Sequence, residues 1–321
     1  MPTRPPMKQP TARLTMVTAG VLFFVLICAV PTGLWLFEIA TPFRLQLALV
    51  AVAVAATNAW HRRKYATTLC LLSAIYLCSH LPAYYLDAAA PSSTDRPTLR
   101  MMHWNTWRDV HSVSDMHWAL QEYQPDLAFF QEVTEAEAAE FESNHYEKQY
   151  IGDFLLLRKP GVEITVPAHD PQWTELPAAE LSIRFDQREI DLYSIHPPAP
   201  FTPRRLRARN EFFHQLADVV AGGRNSSVVI GDFNAVATEN VFTHLLQFAG
   251  LKDSMTGFGH QTSWPFAQWW NPMLQIAIDH CVACPKLQVI NREVAGSRTS
   301  NHKPIIVDLQ WVSDSGQRTQ A

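Results

Sequence analysis

The stretch "VVIGDFNAVA", residues 228–237, changes character halfway along. Its first three residues are β-branched and apolar, which favours a buried strand. Asp232 and Asn234 follow at once, where that strand is expected to stop. One such pair is often only a turn, because Asp and Asn side chains bond to their own neighbouring backbone. The stretch therefore decides the fold only if other strands of the chain end in the same way.

Other apolar segments also end in polar residues. "TLRMMHW" (98–104) stops at Asn105, and "DLAFF" (126–130) stops just before Glu132. The further cases are His196 after residues 189–195, Asp279 and His280 within 274–284, and His302 before the strand predicted for 305–311. Helices predicted over 112–123, 203–223 and 240–250 separate these strands, so the pattern indicates an α/β domain. In such sheets the strand ends line one rim, where ligands bind. Each residue alone could be a turn or structural residue, and only the set predicts a site.

The chemistry of this rim favours a hard cation. Glu132 and Asp232 would repel each other unless positive charge lay between them. Oxygen ligands from Asp, Glu and Asn suit Mg²⁺ or Mn²⁺ rather than zinc. A divalent ion there could hold a phosphoryl oxygen, and a His could take a proton from water if a carboxylate fixed its tautomer. The rim therefore predicts metal-dependent chemistry on a phosphate ester.

The order WN … QE … H … GDFN … DH … SNHxP, over roughly residues 98–311, closely resembles the endonuclease/exonuclease/phosphatase family. The resemblance implies an α/β (α+β) fold of four layers, in which two mixed sheets form a β-sandwich flanked by helices. It also implies a phosphoester hydrolase that uses Mg²⁺, with Mn²⁺ as the alternative.

The resemblance carries roles to individual residues. His302 is expected to be the catalytic base and Asp279 its partner, while Asp232 and Asn234 orient the nucleophile and the scissile phosphate. The other expected roles are phosphate contact for His196, metal binding for Asn105, Glu132 and Asn301, and rim positions for His280 and Trp264. The family usually has Asp where this chain has Asn301. An amide keeps one oxygen ligand but loses a charge, so metal binding is expected to weaken or to depend more on Glu132.

Four arginines at positions 204, 205, 207 and 209 fall in the first two turns of the helix predicted after His196. Positive charge there opposes the helix dipole, so helix stability does not explain it. A phosphate-bearing substrate would explain it, with Arg205 and Arg209 as its contacts. A solvated basic face is the alternative.

The first ninety residues are much more apolar than the rest. Three runs, 14–37, 43–60 and 67–86, approach the roughly 20 residues that span a bilayer, although His80 and Pro82 weaken the third. Basic residues in the tail 1–13 and in the "HRRK" loop predict that both are cytoplasmic. Three crossings would then make this a multi-pass protein of a bacterial inner membrane, with the later domain in the periplasm. The alternatives are a secretory signal followed by core helices, or two crossings, which place that domain in the cytoplasm.

The predicted organisation is a membrane region, a linker at 87–97, a catalytic domain at 98–312 and a polar tail at 313–321. A net charge of −4 argues against a simple polycation that binds nucleic acid. The predicted function is a membrane-anchored phosphoesterase acting on nucleic acid or on a phospholipid or small phosphodiester. Its N-terminal helices would contact the lipid bilayer, and no protein partner is predicted. The alternative is a catalytically weakened module that binds phosphate groups or a partner, which Asn301 favours.

Overall fold

The computed structural model describes residues 12–29, 35–86, 93, 95–107, 112–265 and 274–312. The chain divides into two compact units, Met1–Leu81 and Pro82–Ala321.

The N-terminal unit is helical. Its elements are α1 (Ala12–Ala29), α2 (Trp35–Glu38), a 3-10 turn (Thr41–Phe43), α3 (Arg44–Trp60) and α4 (Lys64–Leu77). Small residues such as Ala51 and Cys70 are fully buried where α1, α3 and α4 pack together. Between α1 and α3, the Asn58 Nδ2 atom donates a hydrogen bond to Thr18 Oγ1 at 3.0 Å. This unit therefore has a packed interior of its own.

The prediction of three membrane-spanning helices is not supported. Among the described residues, one helical stretch, Trp35–Trp60, is long and apolar enough to cross a membrane, and the other two apolar helices are shorter. The helix α4 has 14 residues, or about 21 Å at 1.5 Å per residue, against a hydrocarbon core of about 30 Å. The predicted third span breaks after Leu77, before α5 (Leu81–Tyr85) begins. The periplasmic placement depends on three crossings and so loses that support.

The second unit contains two six-stranded sheets. The first has the order β11-β12-β1-β2-β4-β3, and the second has the order β5-β6-β7-β8-β10-β9. The strands are β1 (Leu99–Asn105), β2 (Leu127–Gln131), β3 (Glu147–Ile151), β4 (Phe154–Arg158), β5 (Glu163–His169), β6 (Ala178–Phe185), β7 (Arg188–Ile195), β8 (Ser226–Asp232), β9 (Lys252–Asp253), β10 (Asp279–Ala283), β11 (Leu287–Val294) and β12 (Ile305–Trp311). Each sheet is mixed, because β1 runs parallel to β2 and β7 runs parallel to β8, whereas the other pairings are antiparallel.

In the part of this unit that the structure describes, the helices beside the sheets are α6 (Ser112–Tyr123), α7 (Glu135–Glu140), α8 (Pro203–Gly222) and α9 (Asn240–Phe248). Side chains from both sheets form one core, and the other faces pack on helices. In β8, Val228 and Ile230 enter the core between the sheets, while Val229 packs with Phe213 of α8, as strand alternation requires. The predicted sandwich of two mixed sheets flanked by helices is confirmed.

Local sequence signals place α8 as expected. Thr202 caps the helix by accepting a hydrogen bond from the Arg205 backbone, Pro203 is its first residue, and Gly222 is its last. The strand predicted at 274–284 is shorter, because β10 begins only at Asp279.

Strand register brings the polar ends together. Asn105 pairs with Gln131 at the ends of β1 and β2, and Asp279 pairs with Asp232 where β10 meets β8. One edge of the sandwich therefore collects polar residues from both sheets.

Candidate active site

A glutamine side chain joins the two sheets beneath this rim. Gln131 Nε2 donates a hydrogen bond to the Ile195 carbonyl at 2.8 Å, and its Oε1 accepts one from the Asp232 backbone at 3.2 Å. The neighbouring Gly231 must lack a side chain, because a Cβ there would lie 2.1 Å from the Ile195 oxygen. The glycine of "GDFN" thus permits the close approach that holds Asp232 in place.

An amide lies between two carboxylates on the rim. Asn105 Nδ2 is 3.0 Å from Glu132 Oε1 and 3.2 Å from Asp232 Oδ2, while its Oδ1 accepts the Trp107 backbone N–H at 2.9 Å. Glu132 adopts a positive φ of 59°, a conformation that is uncommon for non-glycine residues. Asn105 therefore offers its N–H groups to the carboxylates, and Glu132 and Asp232 remain as the oxygen donors.

His302 and Asp279 form a buried acid–imidazole pair. His302 Nδ1 lies 2.9 Å from Asp279 Oδ2, and its Nε2 lies 3.8 Å from Asp232 Oδ2. Burial alone would lower the pKa of His302, but the charges of Asp279 and Asp232 outweigh it and raise that pKa to about 9. His302 is therefore a strong base whose protonated form the site stabilises.

The same carboxylate has a second imidazole partner. His103 Nε2, on β1, lies 3.0 Å from Asp279 Oδ1, and both side chains are fully buried. Burial opposes the charge of Asp279, yet His302 and His103 together hold its pKa well below the usual value. His103 could not be singled out from the sequence, because it lies within the strand rather than at its end.

His196 faces the other side of the two carboxylates. Its Nε2 is 3.5 Å from Glu132 Oε1 and 3.7 Å from Asp232 Oδ2, and its Nδ1 is 3.7 Å from Asp153 Oδ2. Burial favours the neutral ring, but these three acids raise the pKa of His196. Asp153, in the turn between β3 and β4, carries no motif that would reveal it in the sequence.

Asn234 is fixed by its surroundings. Its backbone N–H donates to Asp232 Oδ1 at 2.9 Å, and its Nδ2 donates to the Pro197 carbonyl at 3.0 Å. Its own carbonyl accepts a hydrogen bond from Arg209 Nη1 at 2.7 Å. The "GDFN" loop is thereby tied both to the segment after β7 and to α8.

Two predicted site residues are structural instead. Arg209 is fully buried and pairs with Glu239 Oε2 at 2.6 Å, so its predicted contact with substrate phosphate is wrong. His280 is not on the rim, since its fully buried Nε2 lies 3.0 Å from the Ala235 carbonyl and its ring packs on Phe242. The hydrogen bonds that both side chains make are therefore to groups inside the fold rather than to groups at the site.

Trp264 lies close to the site. Its ring centroid is 6.3 Å from that of His302, and its backbone pairs with Ile276. The rest of the predicted rim loop, residues 266–270, lies outside the described residues.

The donor set fits a divalent cation. Ligand atoms of Asp232, Asp279 and His302 all lie within 4.8 Å of one another. Because Asp279 and His302 bond to each other, Asp232 is the member of this cluster that would contribute an oxygen to a cation. Asn301 Oδ1 is buried and has no hydrogen-bond partner among the described residues, a deficit that a cation would satisfy. Together with Glu132, these groups are mostly hard oxygen donors, which suit Mg²⁺ or Mn²⁺.

A rim of buried carboxylates and an acid–imidazole pair on a two-sheet sandwich define a phosphoester hydrolase that works with a divalent metal. The chain belongs to the Endonuclease/Exonuclease/phosphatase family, whose sequence profile matches residues 102–314. It is therefore a metal-dependent hydrolase of phosphoester bonds. No curated protein matches the chain.

Solved structures share this fold. D. rerio TDP2 complexed with a single-strand DNA product has a TM-score of 0.55 and 15% identity, covering 66% of this chain and 98% of that one. A mannosyl-6-phosphatase of Bacteroides thetaiotaomicron has a TM-score of 0.52 and 15% identity, covering 66% and 99%. The human Nocturnin catalytic domain with a bound sulfate anion has a TM-score of 0.51 and 16% identity, covering 72% and 100%.

Proposed function

We propose that this protein is a Mg²⁺-dependent phosphodiesterase in which His302 takes a proton from the water that attacks phosphorus. The P–O bond to the leaving group breaks, and the leaving oxygen departs with a proton as an alcohol. The observation that carries the proposal is the 2.9 Å contact between His302 Nδ1 and Asp279 Oδ2, which turns Nε2 toward Asp232. The carboxylate fixes the ring and stabilises the imidazolium that forms as the proton arrives. Asp232, 3.8 Å from Nε2, aligns the water for attack.

Glu132 would hold the metal, with Asn301 Oδ1 as a further oxygen ligand. Asn105, predicted as a ligand, would instead orient the Glu132 and Asp232 carboxylates through its N–H groups. When bound, the cation supplies positive charge that holds a phosphoryl oxygen and stabilises the charge of the transition state. Mn²⁺ has similar ligand preferences and is expected to substitute.

His196 and Asn234 would contact the phosphate. The acids around His196 raise its pKa, so its imidazolium persists to higher pH and offers a charged donor to a phosphoryl oxygen. Asn234 is held beside Asp232 by its own backbone hydrogen bond, which keeps its amide at the reacting centre.

Arg205 is the arginine that would extend the site. It is exposed, lies one helical turn before Arg209, and has its guanidinium 5.8 Å from the Phe201 ring centroid. Because Arg209 binds the Asn234 carbonyl, this turn of α8 lies next to the "GDFN" loop. Arg205 would contact a phosphate of a nucleic acid or phospholipid substrate.

The N-terminal unit would associate with a lipid bilayer. Large apolar side chains such as Phe23, Leu49 and Ile75 are more than half exposed on three of its helices, a surface that a bilayer would cover. Trp60 and Tyr65, 86% and 90% exposed, flank the basic residues of the loop before α4, an arrangement typical of a membrane interface. Alkaline extraction of isolated membranes would test this association. We expect the protein to stay in the membrane fraction, and its release into the soluble fraction would contradict the proposal.

A substrate panel tests the catalytic proposal. The full chain is assayed with single-stranded DNA, RNA, phospholipid vesicles, sugar phosphates and a generic phosphodiester dye, each with Mg²⁺ and with chelator. Hydrolysis that requires Mg²⁺ and is lost in Glu132→Gln, but not in the exposed-site control Glu142→Gln, supports it. Binding of these substrates without turnover would instead indicate the weakened binding module that Asn301 favours.

A further inference from the structure

We propose that His103 is a positioning residue that holds the Asp279 carboxylate from the opposite sheet, so that Asp279 keeps His302 aimed at the reacting water. The inference rests on the proposed role of His302, and it concerns a residue that makes no contact with the substrate phosphate.

The first support is the place of His103 in the sandwich. It lies on β1 of the first sheet, two residues before Asn105, so alternation turns both toward the space between the sheets. Asp279 begins β10 of the second sheet. The 3.0 Å contact between His103 Nε2 and Asp279 Oδ1 therefore joins the two sheets directly behind the site.

The second support is the complete use of the Asp279 carboxylate. His302 Nδ1 lies 2.9 Å from Oδ2 and 3.2 Å from Oδ1, and His103 Nε2 lies 3.0 Å from Oδ1, so both oxygens have an imidazole partner. The Asp279 backbone N–H is also fixed, because it donates to Ser263 Oγ at 3.1 Å. An ionised carboxylate only accepts hydrogen bonds, so His103 must carry its proton on Nε2.

The third support is the residue type. His103 is fully buried, and its Nδ1 has no hydrogen-bond partner among the described residues. An apolar side chain such as that of the neighbouring Met101 would fill this layer without the cost of an unpaired buried nitrogen. The bond to Asp279 is the interaction that explains a histidine here.

The mechanical consequence is that Asp279 cannot turn about its side-chain torsion. With Oδ1 held by His103, Oδ2 stays against His302 Nδ1, and Nε2 stays toward Asp232. Without the donor at position 103 the carboxylate is free to rotate, and the His302 ring loses its fixed orientation.

Three variants separate positioning from packing. His103→Gln retains an N–H donor of similar reach, whereas His103→Asn is polar but too short, and His103→Leu fills space without a donor. We expect kcat on the phosphodiester dye to fall about 10- to 100-fold in the Asn and Leu variants, with KM unchanged, and to recover largely in the Gln variant. His117→Leu, which removes a histidine stacked on Phe141 away from the site, is the matched control.

A second readout does not need turnover. The shared proton of the His302–Asp279 bond should give a downfield proton resonance that disappears in His302→Gln. We expect it to be lost or moved in His103→Asn and to return in His103→Gln. Equal resonances and equal kcat in the Asn and Gln variants would overturn the inference. If the wild-type chain hydrolyses no phosphodiester, the resonance still decides the role of His103 while the proposed function fails separately.

Discussion

Asp232 and Asp279 lie opposite each other where β8 pairs with β10, yet the fold shifts their pKa values in opposite directions. Burial dominates at Asp232 and raises its pKa, and the nearby charge of Asp279 adds to this effect. Two imidazoles hold the pKa of Asp279 down. The two imidazoles thus favour the ionised form of Asp279 behind His302, whereas burial disfavours the ionised form of Asp232.

Removing the base should abolish most turnover. In His302→Ala, kcat is expected to fall by about 10²–10⁴-fold, because the site loses the imidazole that Asp279 orients. Circular dichroism should show the fold intact, and the exposed-site control His145→Ala should retain full activity. A wild-type rate in His302→Ala would exclude the assignment.

The metal-free protein should lose stability toward alkaline pH. The ordinary pKa of histidine is 6.5, and that of His302 is raised to about 9. A raised pKa in the folded state gives stability that is fully present below pH 6.5 and is lost as pH rises through 9. Chemical denaturation in the presence of a chelator should therefore show that the free energy of unfolding declines between these pH values. The decline should be smaller in His302→Gln. Identical profiles would contradict the shift.

Restoring a carboxylate before His302 should strengthen metal binding. In Asn301→Asp the side chain keeps an oxygen donor and gains a negative charge, so affinity for Mg²⁺ is expected to rise roughly tenfold. Isothermal titration calorimetry, in which Mg²⁺ is added to protein freed of metal and of chelator, measures this change. Asn291→Asp, on β11, serves as the control. Equal affinities in wild type and Asn301→Asp would remove Asn301 from the metal site.

A methyl group at Gly231 should not be tolerated. The added Cβ would meet the Ile195 carbonyl at 2.1 Å, and both groups belong to paired strands that cannot separate. Gly231→Ala is expected to destabilise the protein by about 3 kcal/mol or more. Gly222→Ala, at the open end of α8, should be neutral or mildly stabilising in the same thermal unfolding assay. Similar midpoints for both variants would contradict the crowding at Gly231.

Two arginines of α8 should behave differently. Arg209→Met leaves Glu239 buried without its partner, so a stability loss of about 3–5 kcal/mol is expected. Arg205→Ala should leave stability unchanged and raise KM about tenfold on a charged phosphodiester. Denaturation measures the stability of both variants, and steady-state kinetics measures their KM. An unchanged KM in Arg205→Ala would indicate that Arg205 belongs to a solvated basic face rather than to the substrate site.

Residues at strand ends were predictable because burial of the strand body leaves only its last position for a polar group. His103 and Asp153 were not, since only the pairing of strands and sheets brings them to the site. Arg209 shows the converse error, because a charged residue in a surface helix gives no sign of a buried partner 30 positions later. The prediction that residues 67–86 form a membrane-spanning helix failed for a related reason. Composition gives the length of an apolar run but does not show that the helix breaks after Leu77.

The bridge formed by Gln131 makes the spacing of the two sheets part of the catalytic geometry. Asn105 ends β1 and Glu132 directly follows β2 of one sheet, whereas Asp232 and Asp279 belong to the other. A small shift of one sheet over the other would misalign these two sets of site residues. The apolar core between the sheets could remain packed during such a shift. On heating, the enzyme should therefore lose activity at a temperature below the midpoint of its thermal unfolding.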